Sequence, residues 1–120
     1  MNIQSTTFGS ITIGDTTYDH DVVIRLDGQI IKRKKKLSKQ QYGTSHILSV
    51  DEMRFVYENG CDSLIIGCGQ YGRVKLSDEA AHFLDSQNCT VISYPTPQAA
   101  EFYNTQTEHK NCIALFHVTC

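Results

Sequence analysis

Three groups of residues in this 120-residue chain have the types and spacing to do chemistry. The first is an unbroken run of cations, Lys32-Arg33-Lys34-Lys35-Lys36. Adjacent like charges repel, so such a run either guards a strand edge against pairing with another chain or gathers an anion. The second is Gly43-Thr44-Ser45-His46, which combines two hydroxyls, an imidazole of ordinary pKa about 6.5 and backbone N–H groups able to meet a negative oxygen. The third is the bend Gly67-Cys68-Gly69-Gln70-Tyr71-Gly72. Its glycines permit positive φ and close backbone approach. Together these define a candidate ligand-binding set: Lys34 and Lys36 for charge, Thr44, Ser45 and His46 for direction, and Gly67, Gly69 and Tyr71 at the bend. The ligand such a basic, glycine-bounded pocket selects is a small anion or an acidic protein partner.

The same residues allow an enzymatic alternative, with His46 as acid–base and Cys68 as nucleophile. No complete catalytic constellation is visible around that pair, and the reading favours a non-enzymatic binding or scaffold domain. Cys68 itself reads as a small buried hydrophobe rather than a reactive thiol. The G-x-G-x-x-G spelling of the bend does not make a dinucleotide site. Such a site needs a helix to begin inside the loop, and Arg73-Val74-Lys75-Leu76 intervenes before the helix cap at Ser77. Asp19-His20-Asp21 reads as a solvated turn, and His117-x-x-Cys120 as the end of a packed strand rather than half of a metal site. No cofactor and no metal is expected.

The elements that must position these groups are legible from periodicity and punctuation. Ser63-Leu64-Ile65-Ile66 is a short, fully apolar strand running into the glycine bend. Ile11–Ile13 and Thr16–Tyr18 flank Gly14-Asp15, and Val22–Leu26 and Gln29–Ile31 flank Asp27-Gly28, two hairpin signals. The second hairpin is expected to continue as a strand into the basic run, with Lys32, Lys34 and Lys36 on one side and Arg33 and Lys35 on the other. Leu37 to Leu48 shows no clear periodicity and reads as a long loop. Ser49 and Glu52 form a capping-box pattern for a helix carrying Val50, Met53, Val56 and Tyr57 on one face and ending at Asn59-Gly60. Ser77 caps a second helix with Ala80, Phe83 and Leu84 inward and His82 outward. Cys89–Tyr94 is a strand, Thr96-Pro97 opens a third helix with Ala99, Ala100 and Tyr103 inward, and Asn111 to Thr119 is a last, buried strand. Hairpins followed by alternating βα units predict an α/β fold: a single three-layer domain spanning residues 1–120, with a mixed central sheet, helices packed on it and an N-terminal β-hairpin region.

Composition narrows the function classes. Five of the eleven basic residues lie in the run, and the other six face thirteen acids, so a concentrated basic segment sits in an acidic background. With no aromatics interleaved among the cations, nucleic acid is not the expected partner. Five irregularly spaced cysteines without a C-x-x-C suit reduced thiols in a cytoplasmic protein. Met1 to Ser10 carries neither basic residues nor an apolar run, and no apolar stretch approaches the length of a membrane span. Oligomeric state leaves no sequence signature.

Ile11-Thr12-Ile13 with Tyr18 to Val23, then Gly43 to His46, Ile65 to Gly69, Thr96 to Ala100 with Tyr103-Asn104, and Ala114-x-x-His117-x-Thr119-Cys120 occur in a characteristic order. In this the chain resembles the small-domain family that includes the adipogenesis-associated Mth-domain-containing protein and assembly factor three of mitochondrial respiratory complex I. The resemblance covers nearly the whole chain. It implies a compact α/β domain with a mixed central sheet, no established enzymatic activity, and, as one alternative, an assembly-factor-like chaperone role. Cys68 stands where relatives often carry Thr.

Overall fold

The computed structural model describes residues 2–106 and 111–120. In chain order the elements are β1 (Ile3–Thr7), β2 (Ser10–Ile13), β3 (Thr16–Tyr18), β4 (Val22–Ile24), β5 (Ile30–Lys32), α1 (Lys36–Tyr42), β6 (Ile47–Leu48), α2 (Val50–Val56), β7 (Ser63–Cys68), β8 (Lys75–Leu76), α3 (Asp78–Ser86), β9 (Thr90–Tyr94), α4 (Thr96–Thr105) and β10 (Cys112–His117). The main sheet has strand order β5-β4-β10-β7-β9. β10 runs parallel to β7 and antiparallel to β4, so the sheet is mixed. β1, β2 and β3 form a separate antiparallel sheet, and β6 pairs with β8 in a two-stranded parallel one.

The apolar runs read as strands are buried because the sheet is covered on both sides. Side chains alternate along each strand. Val23, Leu64, Ile66, Ile113 and Leu115 point to one face, where they join Met53 and Val56 of α2 and Ala80 and Leu84 of α3. Val22, Ile24, Ile65, Ala114 and Phe116 point to the other, against Ala99, Ala100 and Tyr103 of α4 and Ile3, Ile11 and Ile13 of the N-terminal sheet. This is the expected three-layer α/β arrangement. β10 is the middle strand, and the apolar run of β7 lies beside it rather than at the centre.

Both expected hairpins form, as β2–β3 and β4–β5. Several expectations need correction. The strand does not continue through the basic run: β5 ends at Lys32, and Lys36 opens α1. The stretch from Leu37 to Leu48 is not a long loop, since it contains α1 and β6. α1 escapes a periodicity reading because Leu37 is its one aliphatic residue; the face it buries is carried by Ser38, which bonds the start of α2. β1 is likewise absent from the sequence expectations, because Ile3 is its one buried side chain. Finally, α2 stops at Val56, with Tyr57 already extended, before Asn59-Gly60.

Candidate functional site

The registers dictate a polar site at one end of the sheet. In the β4–β5 hairpin Val22 faces Lys32, so Asp21 and Arg33 are the next pair outward, joined by the Arg33 N–H donating to the Asp21 carbonyl at 3.1 Å. On the other side β4 pairs with β10 at Val22–Phe116, which puts His117 beside Asp21. Asp21, Arg33 and His117 therefore form a row across three neighbouring strands. Their odd-numbered positions continue the face that Val23 and Leu115 occupy, the face covered by α2. Asp21 is thus not part of a solvated turn: it is buried, as are Arg33, Glu52 and His117.

Arg33 holds this site together. Its Nε donates to Glu52 Oε2 at 2.6 Å, Nη1 to Asp21 Oδ2 at 2.9 Å, and Nη2 to both Glu52 Oε1 at 3.1 Å and the Ser45 carbonyl at 2.7 Å. Ser38 Oγ donates to Glu52 Oε1. The Ser49–Glu52 cap is only half a capping box. Ser49 Oγ accepts from the Glu52 N–H, but the Glu52 carboxylate turns to the guanidinium and Ser38 takes the Ser49 N–H instead. Among the described residues every buried side-chain nitrogen and oxygen has a partner, as burial of charge requires. The two carboxylates keep Arg33 protonated against the cost of its burial, raising its already high pKa.

Asp21 accepts from His117 Nδ1 at 2.7 Å and from the Val118 N–H at 2.8 Å. Burial pushes its pKa up, but these bonds and the electrostatic attraction of His117 and Arg33 outweigh it and bring the carboxyl down from 3.8 to about 2. A depressed carboxyl pKa stabilises the fold at pH values above the unfolded pKa, and that stability is lost as pH falls from about 4 through about 2. The contribution is about 2 kcal/mol. Urea midpoints at pH 6 and pH 2.5 are expected to fall further apart in the wild type than in Asp21→Asn. Equal pH dependence in the two proteins would refute the assignment.

The loop of Thr44 to His46 is brought to the same end by the β6–β8 ladder, with the Lys75 N–H donating to the His46 carbonyl at 2.8 Å. Thr44 Oγ1 accepts from the His46 N–H at 3.1 Å. The His46 ring meets the edge of His117, centroids 5.4 Å apart, and its Nε2 lies 3.6 Å from Cys120 Sγ. Burial first, then electrostatic interaction with His117, Arg33 and Arg73, lowers the His46 pKa. The thiol that His46 meets is therefore Cys120, a half-exposed residue 74 positions away, and not Cys68. Cys68 is buried with its thiol pKa raised by desolvation, as a packed hydrophobe's would be.

The glycine bend abuts this cluster through shape. A Cβ on Gly67 would lie 2.7 Å from Phe116 Cδ1, and one on Gly69, at φ +100°, would lie 2.5 Å from the Cys120 carbonyl carbon and 2.9 Å from His117 Cδ2. The Gly69 N–H donates to Thr96 Oγ1 at 2.8 Å, and that hydroxyl donates to the His117 carbonyl at 2.6 Å. Thr96 is the first residue of α4 rather than its cap, which is Pro95. Tyr71 points away, 71% exposed and ring to ring with Phe8 at 6.1 Å. The helix that follows the bend in the chain starts only at Asp78, beyond β8; the helix N-terminus that meets the glycines is that of α4, whose Thr96 N–H donates to the Gly69 carbonyl at 2.9 Å.

The lysines gather elsewhere. Lys32 to Lys36, Leu37 and Phe55 line a hollow of about 510 Å³, with Lys34 Nζ 4.6 Å from the centroid of the Phe55 ring. Of the sequence-derived set, then, Lys34 and Lys36 share this hollow, while His46 meets His117 and Cys120, the two residues that crowd Gly69; Thr44 bonds the His46 N–H and Ser45 gives its carbonyl to Arg33. Arg33 connects the two regions. Asp21, Arg33, Glu52, His117 and Cys120 were absent from that set. The Asp21–Arg33 pair had a signal in the hairpin around Asp27-Gly28, whose register sets these two positions opposite each other.

A family model described as "Protein of unknown function (DUF498/DUF598)" matches residues 3–117. The chain belongs to this family. Among solved structures it is similar to the conserved hypothetical protein PH1505 from Pyrococcus horikoshii OT3, with 34% identity, full coverage of both chains and a TM-score of 0.93. It is also similar to the protein titled MT938, at 29% identity and TM-score 0.84 over 99% of this chain and 98% of that one. A Mth938-like domain from Bordetella pertussis shares the fold at 18% identity and TM-score 0.66, over 98% and 85% of the two chains. No curated protein matches the chain. The fold of the DUF498/DUF598 family is thus Mth938-like, as the sequence resemblance implied. Among the described residues no helix is long and apolar enough to cross a membrane.

Proposed function

We propose that this protein is a small, non-enzymatic cytosolic binding domain that captures an anionic group, free or carried by an acidic partner, in the lysine hollow above Phe55. The observation that carries this reading is the anchoring of Arg33. Its guanidinium is locked inward by Asp21, Glu52 and the Ser45 carbonyl, which fixes the backbone between β5 and α1. The flanking Lys32, Lys34, Lys35 and Lys36 are thereby all turned to solvent around one half-buried ring. Among the described residues none of these four lysines is ion-paired with a carboxylate. Four unpaired ammonium groups held close together repel, and an anion relieves that repulsion while Phe55 receives its apolar part. The free state of all five cysteines suits a reducing compartment.

The test is thermal unfolding in phosphate against chloride at equal ionic strength, so that general screening cancels. At phosphate concentrations about ten times Kd the melting temperature is expected to rise by roughly 4 °C. The Lys34→Gln/Lys36→Gln variant should lose that rise. A rise that survives in the variant, or that chloride reproduces, removes the proposal and leaves the lysines as guards of the β5 edge.

A further inference from the structure

We propose a transition-metal site, taking Zn2+ foremost, built from His46, His117 and Cys120 at the end of β10. The three donor atoms lie within 4.8 Å of one another. The His46 Nε2 to Cys120 Sγ separation is 3.6 Å. Tetrahedral zinc with Zn–N and Zn–S bonds of ordinary length sets that edge at about 3.6 Å, so these two donors already stand at ligating distance from a common centre. His117 completes the set from the buried side.

The surroundings of His117 are those of a metal ligand. A ligating imidazole characteristically gives its second ring nitrogen to a carboxylate, which fixes the ring's orientation and strengthens it as a donor. Here Nδ1 is taken by Asp21 Oδ2 at 2.7 Å, and Asp21 is held in turn by the Val118 N–H and by Arg33. That leaves Nε2 as the nitrogen not engaged by the carboxylate, with the Thr119 hydroxyl as its neighbour at 3.1 Å. The hydroxyl rotates away when Nε2 gives its lone pair to an ion. Binding requires Cys120 to lose its thiol proton to solvent and ligate as thiolate. His46 and Cys120 are both partly exposed, which provides the entry path, and three protein donors leave a fourth position for water or an exogenous ligand.

The site is independent of the lysine hollow and is tested separately. Apo protein in a reducing, chelator-free buffer is titrated with Zn2+ by calorimetry, and with Co2+ by absorption spectroscopy. One equivalent of Zn2+ is expected to bind with Kd at or below the micromolar range, with a buffer-dependent heat from the released thiol proton. The Co2+ complex should show thiolate-to-metal charge transfer. Cys120→Ser and His46→Ala are expected to weaken Zn2+ binding at least 30-fold, and Cys120→Ser to abolish the charge-transfer band. Both positions are partly exposed, so wild-type melting temperatures of the apo variants will confirm intact folds. No saturable equivalent in the wild type, binding unchanged in both variants, or a Co2+ spectrum without thiolate character would each overturn the site.

Discussion

Arg33→Met is expected to destabilise the protein by about 3–5 kcal/mol, measured as the shift in urea midpoint at constant m. The side chain is fully buried and ties three separate parts of the chain to one point: the Asp21 carboxylate before β4, the Glu52 carboxylate in α2 and the Ser45 carbonyl ahead of β6. Removing it strands two carboxylates in an interior with one cation fewer. The magnitude measures that uncompensated charge rather than the net worth of the network, and a cycle separates the two. Glu52→Leu leaves Arg33 with Asp21 alone, while Arg33→Met/Glu52→Leu replaces an ion pair by packed apolar groups. The double variant is therefore expected to be clearly more stable than the sum of the single losses allows. Strict additivity would show that the pair does not act as a unit, and a loss under about 1 kcal/mol for Arg33→Met would mean that water reaches the stranded carboxylates.

Gly69→Ala is expected to cost about 2–5 kcal/mol, because two penalties fall on one methyl group. The residue sits at φ +100°, where an L side chain is strained, and the new Cβ would stand 2.5 Å from the carbonyl carbon and oxygen of Cys120. Backbone atoms yield far less readily than a side-chain tip. If the bend holds, Cys120 is displaced and the His46–Cys120 approach opens; if Cys120 holds, the bend loses the Gly69 N–H bond to Thr96. Gly72→Ala is the control. It also has positive φ, at +69°, but its Cβ would meet Pro95 at an ordinary 3.5 Å, so it should lose only the conformational part, about 1 kcal/mol. Equal losses at the two positions would show that crowding against Cys120 contributes nothing.

Much of the architecture is open to reading because it rests on local patterns. The apolar runs of β7 and β10, the cap at Ser77 and the two glycine turns each have a short-range physical cause that survives into the fold. α1 and β1 are not legible, since neither carries an apolar repeat and both are held by polar or distant partners. The site is half legible. Its residue types stand out, but five adjacent cations look alike in the sequence, and that conceals the different role of Arg33. Alternation puts Arg33 and Lys35 on one side; only the pairing of the β4–β5 hairpin distinguishes Arg33, which faces Asp21, from a lysine beyond the strand's end. Nothing local joins His46 to Cys120. Their meeting depends on a parallel ladder between β6 and β8 whose two-residue strands carry no pattern of their own.

The position of β10 has a consequence for how the molecule is made. It is the middle strand of the main sheet, hydrogen-bonded to β4 on one side and β7 on the other. As residues emerge from the ribosome in order, the hairpin at β4–β5 and the later β7–β9 ladder have no strand in common until 112–117 have followed. Until then two open, apolar strand edges wait for the same late partner, which makes the nascent chain slow to close and dependent on protection from self-association.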